Sequence, residues 1–172
     1  MWRMDNIIKS IEQALGSRNY FGALFIAVCV PDICGKIEFP QSRRPYKEWF
    51  EKYMPDVYKK HVTGSDAYAI RCAVLHEASS SLAHQGARDV LDKFFFTYTD
   101  NHLNTFNNTN GDNQRKCVLA YASYCTDLIL AFRYWQEETL VSDEAVRVRF
   151  EKSESTRIQI DVGDSIPGVQ FN

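Results

Sequence analysis

The run Asn19–Cys34, NYFGALFIAVCVPDIC, is apolar almost all the way round. A helix with that pattern is stable only where other elements cover every side, so the chain must fold around it. Pro31 either bends this central helix or starts a final turn before Gly35, because proline lacks the amide proton that a helix interior needs. Its covers are legible in the flanking sequence. Asp5–Leu15 sets Ile7, Ile8, Ile11, Ala14 and Leu15 on one face and closes at Gly16. Gln114–Glu138 reads as the longest helix, with Val118, Leu119, Ala122, Cys125, Leu128, Ile129, Phe132 and Trp135 at helical spacing, packed lengthwise on the core helix.

Lys36–Pro45 holds two prolines and paired arginines and reads as a loop, after which Tyr46–Tyr58 resumes as a short helix carrying Trp49, Phe50, Tyr53 and Met54. Consecutive aromatics in Val90–Thr97 predict a strand or a short buried segment, with the strand preferred. Asp100–Asn113 is rich in Asn, Asp and Thr and reads as a long exposed loop or hairpin tip. Val146–Phe150 and Arg157–Val162 alternate enough for two short strands or an extended tail. The expected fold is therefore mainly α, a helical bundle with a small β element or extended segments in the C-terminal half. Residues 1–162 form a single helical domain in this reading, and 163–172 a flexible tail. With 45% hydrophobic and 13% aromatic residues, 172 residues are enough to bury one core, which argues against disorder.

Twenty basic against 22 acidic residues leave a net charge of -2, so any contact with nucleic acid must use a local patch. Five cysteines without close pairs fit a reducing compartment better than a disulfide framework. Asp5 interrupts what a signal peptide would need at MWRMDNIIKS, and the apolar run Gly22–Val30 is short of a membrane span. A cytoplasmic protein without a membrane segment is the expectation.

The chemistry concentrates in Ser65–Ser81, SDAYAIRCAVLHEASSS, predicted as a helix started by Ser65 or Gly64, with the Asp66 carboxylate in its first turn. Arg71 and His76 lie in its apolar middle, where burial is costly unless they are paired or face a cleft. An imidazole that titrates near neutrality can move the proton of a ribose hydroxyl or a leaving group, and a guanidinium can hold a phosphate oxygen. Such chemistry requires no metal and no cofactor. In a regular helix, however, residues five apart are separated by roughly 140°. Arg71 and His76 would then flank a stripe of Tyr68, Cys72, Leu75 and Ser79, and a two-fold mate covering that stripe would complete the site, so a homodimer is expected.

The segment YAIRCAVLHEASS resembles the HEPN superfamily, marked by Arg, four to six residues, then His. The likeness covers about Tyr68–Ser79, with a looser echo in DICG and in Tyr46–Met54. It implies a helical bundle, commonly dimeric, and a metal-independent ribonuclease of a bacterial defence or toxin–antitoxin system, with Arg71 and His76 catalytic and an RNA substrate and an antitoxin or other protein partner. Tyr68, Cys72 and Glu77 are the candidates to support that pair. Cys72, where a polar residue is usual, and Ala78, where Gly is common, depart from the pattern and favour an alternative, a non-catalytic helical module that binds a protein or RNA partner. A plainer reading of the same residues is a structural Arg–His couple with Glu77 or Asp66 as counter-charge.

Three further groups carry side chains suited to binding. Arg43 and Arg44, with Lys47 and Lys52 beside Tyr46 and Trp49, form a basic cluster suited to a phosphate backbone, interrupted by Glu48 and Glu51, and His102 could reach a substrate from its loop. Cys72 and His76 share metal-ligand spacing, and Cys117 and Cys125 could add thiolates. Without a close Cys pair they read as small core residues, and no metal site is expected.

Overall fold

The computed structural model describes residues 3–77, 79–82, 85–86, 88–98, 104–107 and 114–156. The fold is mainly α, with a small sheet in its C-terminal half. The helices run α1 (Arg3–Gly16), α2 (Tyr20–Ala27), α3 (Val30–Glu38), α4 (Pro45–Tyr53), the short α5 (Asp56–Lys59) and α6 (Gly64–Cys72), which opens into a π turn, Ala73–Glu77. Strands β1 (Lys93–Thr97), β2 (Asn104–Asn107) and β3 (Arg115–Ala120) precede α7 (Tyr121–Ser142) and α8 (Glu144–Thr156).

The central apolar run is two helices rather than one. Val28 and Cys29 turn the chain between α2 and α3, and Pro31 stands in the first turn of α3, where its missing N–H has no partner to lose. Ala23, Leu24, Ala27, Val28, Val30 and Cys34 are buried, as expected of a core run. Tyr20–Glu38 is the one stretch among the described residues long and apolar enough to cross a membrane, and 50% of it is buried inside the fold. α1 and α7 pack on α2, α8 lies against α3 and α7, and α4 joins α3 to α6. The approach of α3 to α4 is close enough to need Gly35: a Cβ there would overlap the Pro45 carbonyl. The predicted helix Tyr46–Tyr58 ends at Tyr53, with extended backbone at Met54 and Pro55 before the turn of α5.

Two other expectations are corrected. The start of the predicted helix Gln114–Glu138 is strand β3, the middle strand of a sheet ordered β1-β3-β2, with β1 parallel and β2 antiparallel to it. Cys117 and Leu119 are buried two apart, a strand period hidden inside a run that continues into a helix without a loop. Val146–Phe150 is the reverse case. It alternates Val with Arg, but Val146 and Phe150 are buried four apart on α8 while Val148 is 54% exposed, so the helical period decides. Val90–Thr97 does hold a strand, β1, and the Asp100–Asn113 segment contains β2. Arg157–Val162 and the expected tail lie outside the described residues.

One buried carboxylate ties the helical half to the sheet. Asp66 is 0% exposed. Its Oδ2 accepts from the Thr63 amide at 3.3 Å and the Thr63 hydroxyl at 3.0 Å, while Thr63 Oγ1 accepts from the Asp66 amide at 3.1 Å, a capping box that starts α6. The first residue of the cap is thus Thr63, not Ser65 or Gly64. Oδ1 of Asp66 accepts from the amides of Asp89, Val90 and Leu91 at 2.9, 3.0 and 3.1 Å, which fixes the chain entering β1. Replacing Asp66 by Ala leaves those amides, the buried one of Leu91 among them, without an acceptor and removes the cap. A loss of about 3 kcal/mol in urea unfolding is expected, with faster hydrogen exchange at residues 89–91 than elsewhere.

Candidate functional site

Arg71 and His76 meet within one chain. Arg71 Nη1 lies 3.1 Å from His76 Nε2, although a regular helix would set the two side chains far apart. The π turn at Ala73–Glu77 is the reason. Its hydrogen bonds span five residues instead of four, so each residue advances the chain through a smaller angle and positions five apart come onto one face. The expectation that these residues flank a stripe is therefore overturned, and a second copy is not needed to unite them.

Arg71 is fixed from a different helix. Its Nε donates to Asp32 Oδ2 on α3 at 2.7 Å, with the two side chains 21% and 16% exposed. Cys72 Sγ lies 3.9 Å from Nη1, and the Tyr68 ring centroid 5.9 Å from the guanidinium carbon. Burial works to lower the Arg71 pKa, but the Asp32 carboxylate and the Cys72 sulfur raise it by more, so the guanidinium stays charged. A guanidinium only donates, so this contact is a hydrogen bond in the tautomer whose proton is on Nδ1 and whose Nε2 accepts. His76 is exposed at the end of this chain of contacts, with its Nε2 lone pair held by a cation that is itself anchored.

The counter-charge for Arg71 is Asp32, which sequence reasoning passed over. Asp66 is committed to the cap and the 89–91 amides, and the exposed Glu77 accepts from Gln85 Nε2 at 2.7 Å. The only sign of Asp32 was an acid in the first turn after Pro31, in a segment read for packing. Tyr68 is 37% exposed, and its hydroxyl pKa is raised by the neighbouring Cys72 and by burial. It is therefore a neutral phenol at working pH. His102 lies outside the described residues.

Beside Arg71 opens a cleft of about 730 Å³ whose walls include Arg43, Arg44, Tyr46, Lys47 and Tyr68. Two members of the sequence cluster are not part of it. Lys52 binds Glu38 at 2.6 Å and Trp49 is fully buried. Of the acids between them, Glu48 accepts from Ser42 Oγ at 2.6 Å and Glu51 lies 3.8 Å from Lys47. The loop thus adds cations to the Arg71 end of the site, and His76 stands outside the cleft lining.

No group of three or more His, Cys, Asp or Glu is placed to hold a metal among the described residues. Cys117 and Cys125 are buried, and burial pushes both thiols up to about 12. Compared with protein-family models, with curated proteins and with solved structures, the chain matches none. Its class rests on its own features: a mainly α protein with a three-stranded mixed sheet and an Arg–His pair joined by a π turn.

Two outcomes follow from these contacts. Asp32→Asn is expected to lower the unfolding free energy by about 1–2 kcal/mol and to speed phenylglyoxal modification of Arg71, read by peptide mass mapping. Cys117 and Cys125 are expected to resist a thiol reagent at pH 8 in the native protein. Their raised folded pKa means that their contribution to stability is whole below pH 9 and falls as pH rises from there towards 12, because only the unfolded thiols ionise in that window. Equilibrium unfolding at pH 8 and pH 10 measures that fall.

Proposed function

We propose that this protein is a metal-independent endoribonuclease of a bacterial defence or toxin–antitoxin type, acting in the cytoplasm. The observation that carries the reading is the 3.1 Å approach of Arg71 Nη1 to His76 Nε2 at the edge of a basic cleft. Both groups that phosphodiester transfer needs are then within reach of one phosphate. Arg71 keeps its Nε on Asp32 and turns Nη1 from His76 to a non-bridging phosphate oxygen, which neutralises charge as the phosphorus becomes five-coordinate. Released from that contact, His76 Nε2 takes the proton of the ribose 2′-hydroxyl. The 2′-oxygen bonds to phosphorus, the bond to the 5′-oxygen breaks, and the leaving oxygen takes up a proton, from the imidazolium or from water. The products are a 2′,3′-cyclic phosphate end and a 5′-hydroxyl end.

Arg43 and Arg44 hold flanking phosphates in this reading, and Tyr68 and Cys72 position Arg71. Two copies associate, as the family resemblance implies, and the mate closes the open side of the cleft rather than supplying either member of the pair. An antitoxin or other protein partner restrains the activity. A second reading has an observation of its own: Asp32 and Cys72 already satisfy much of Arg71, as they would in a non-catalytic module that binds a protein or RNA partner.

The two readings part on turnover. Purified protein is expected to cut RNA in EDTA and leave cyclic phosphate ends, with His76→Ala and Arg71→Ala each slowing cleavage by about 10²–10⁴-fold. Cleavage at the wild-type rate in both variants would refute the assignment, and RNA or protein binding without turnover identifies the module. Sedimentation at rising concentration tests the dimer, which a constant monomer excludes.

A further inference from the structure

The cleft beside Arg71 carries more positive charge than an internal phosphodiester calls for. Lys36, Arg43, Arg44, Lys47, Arg71 and Arg88 line it, against the carboxylates of Asp32 and Asp89. This is a concentrated excess in a chain whose net charge is -2. Arg71 is matched by Asp32, Arg88 by Asp92, and Lys47 faces Glu51. The side chains of Lys36, Arg43 and Arg44 have no carboxylate partner among the described residues, so the fold leaves three like charges crowded on one concave surface. Such a surface repels itself and is relieved by an anion of high charge density. The positive end of α4 adds to the field: Arg44 is its N-cap and supplies no side-chain cap.

The cleft also offers a ring surface. Tyr68 is held edge-on by Tyr46, ring centroids 5.4 Å apart, with the Arg71 guanidinium near the same ring, yet 37% of the residue is exposed. An aromatic ring of fixed orientation beside clustered cations can stack a base while the cations hold phosphates. An internal phosphodiester brings a single charge to each nucleotide, spread along a strand. A triphosphate brings several charges on adjacent phosphorus atoms, and the volume of about 730 Å³ lies within the ordinary range for a compact ligand.

We propose that this cleft is a polyphosphate site: it takes a short polyphosphate chain on Lys36, Arg43 and Arg44, with an attached nucleoside base against Tyr68. The chain can belong to a free nucleoside triphosphate or to the 5′-triphosphate end of an RNA. The site goes beyond the nuclease reading: it shares Arg43, Arg44, Tyr68 and Arg71 with that reading but not His76, which is outside its lining, so binding is scored apart from cleavage.

The test is calorimetric titration of the His76→Ala protein, which retains the whole cleft, with adenosine, inorganic triphosphate, ATP, and one RNA oligonucleotide carrying either a 5′-triphosphate or a 5′-hydroxyl. Inorganic triphosphate and ATP are expected to bind and adenosine not. The exposed pair Arg43→Ala/Arg44→Ala is expected to weaken both by at least tenfold and to flatten their salt dependence. Tyr68→Ala is expected to weaken ATP by about tenfold and to leave inorganic triphosphate within about twofold. A 5′-triphosphate RNA that binds more tightly than both its 5′-hydroxyl form and ATP supports the RNA end as the source, and ATP as the tighter ligand supports the free nucleotide. Triphosphate binding no better than adenosine, unchanged affinity in the double arginine variant, or 5′-hydroxyl RNA binding as tightly as 5′-triphosphate RNA and more tightly than ATP overturns the proposal. RNA cleavage by the wild-type protein is scored separately, so loss of the nuclease reading leaves this one standing.

Discussion

Asp66 is the constraint on which the arrangement around the site depends, because one fully buried carboxylate serves two distant parts of the chain. One oxygen starts α6 through Thr63, and the other gathers three successive amides at 89–91. A buried carboxylate is tolerated only when its lone pairs are filled, and here they are filled by groups that would otherwise be unpaired themselves. The helix that carries Arg71 and the chain that carries Arg88 and Asp89 are therefore held against each other by the same residue. The cleft between them is a consequence of that bond set, not of a feature in either segment alone.

A second constraint acts at the other side of the cleft. Gly35 lets α3 meet the start of α4 at backbone distance, which brings Asp32, one turn earlier, into the same neighbourhood as Arg43 and Arg44. Asp32 then anchors Arg71 by its Nε and leaves the outer nitrogens for other work. Glu38, at the end of α3, plays the comparable part away from the site: it accepts from Lys52, Tyr53 and Trp135, so α3, α4 and α7 share one carboxylate. In both places helices are joined by a carboxylate, with one donor at Asp32 and three at Glu38, which fixes their relative register more narrowly than apolar contact does.

The π turn converts this frame into a pair. Without it, the guanidinium anchored on Asp32 and the imidazole of His76 would look in different directions. With it, a charged donor anchored on Asp32 faces an imidazole nitrogen of the exposed His76. An open turn of this kind is a departure from the regular helix at the position where the chemistry-bearing residues are concentrated.

Much of the fold is legible in the residues themselves. The apolar run Asn19–Cys34, the face of α1 and the spacing of Cys125, Leu128, Phe132 and Trp135 determine a helical bundle, because burial of a face follows directly from period. Arg71 and His76 stand out on the same grounds, as charged groups in an apolar run. What the sequence does not determine is where periods compete or where partners are remote. Cys117 and Leu119 sit two apart at the head of a helical run, and Val146 and Phe150 sit four apart inside an alternating one, so only the neighbouring strand or helix decides between them. The meeting of Arg71 with His76 and with Asp32 is tertiary too. The first depends on a turn geometry that no local spacing demands, and the second on a carboxylate 39 residues away, which the packing of α3 on α4 and α4 on α6 brings to the guanidinium.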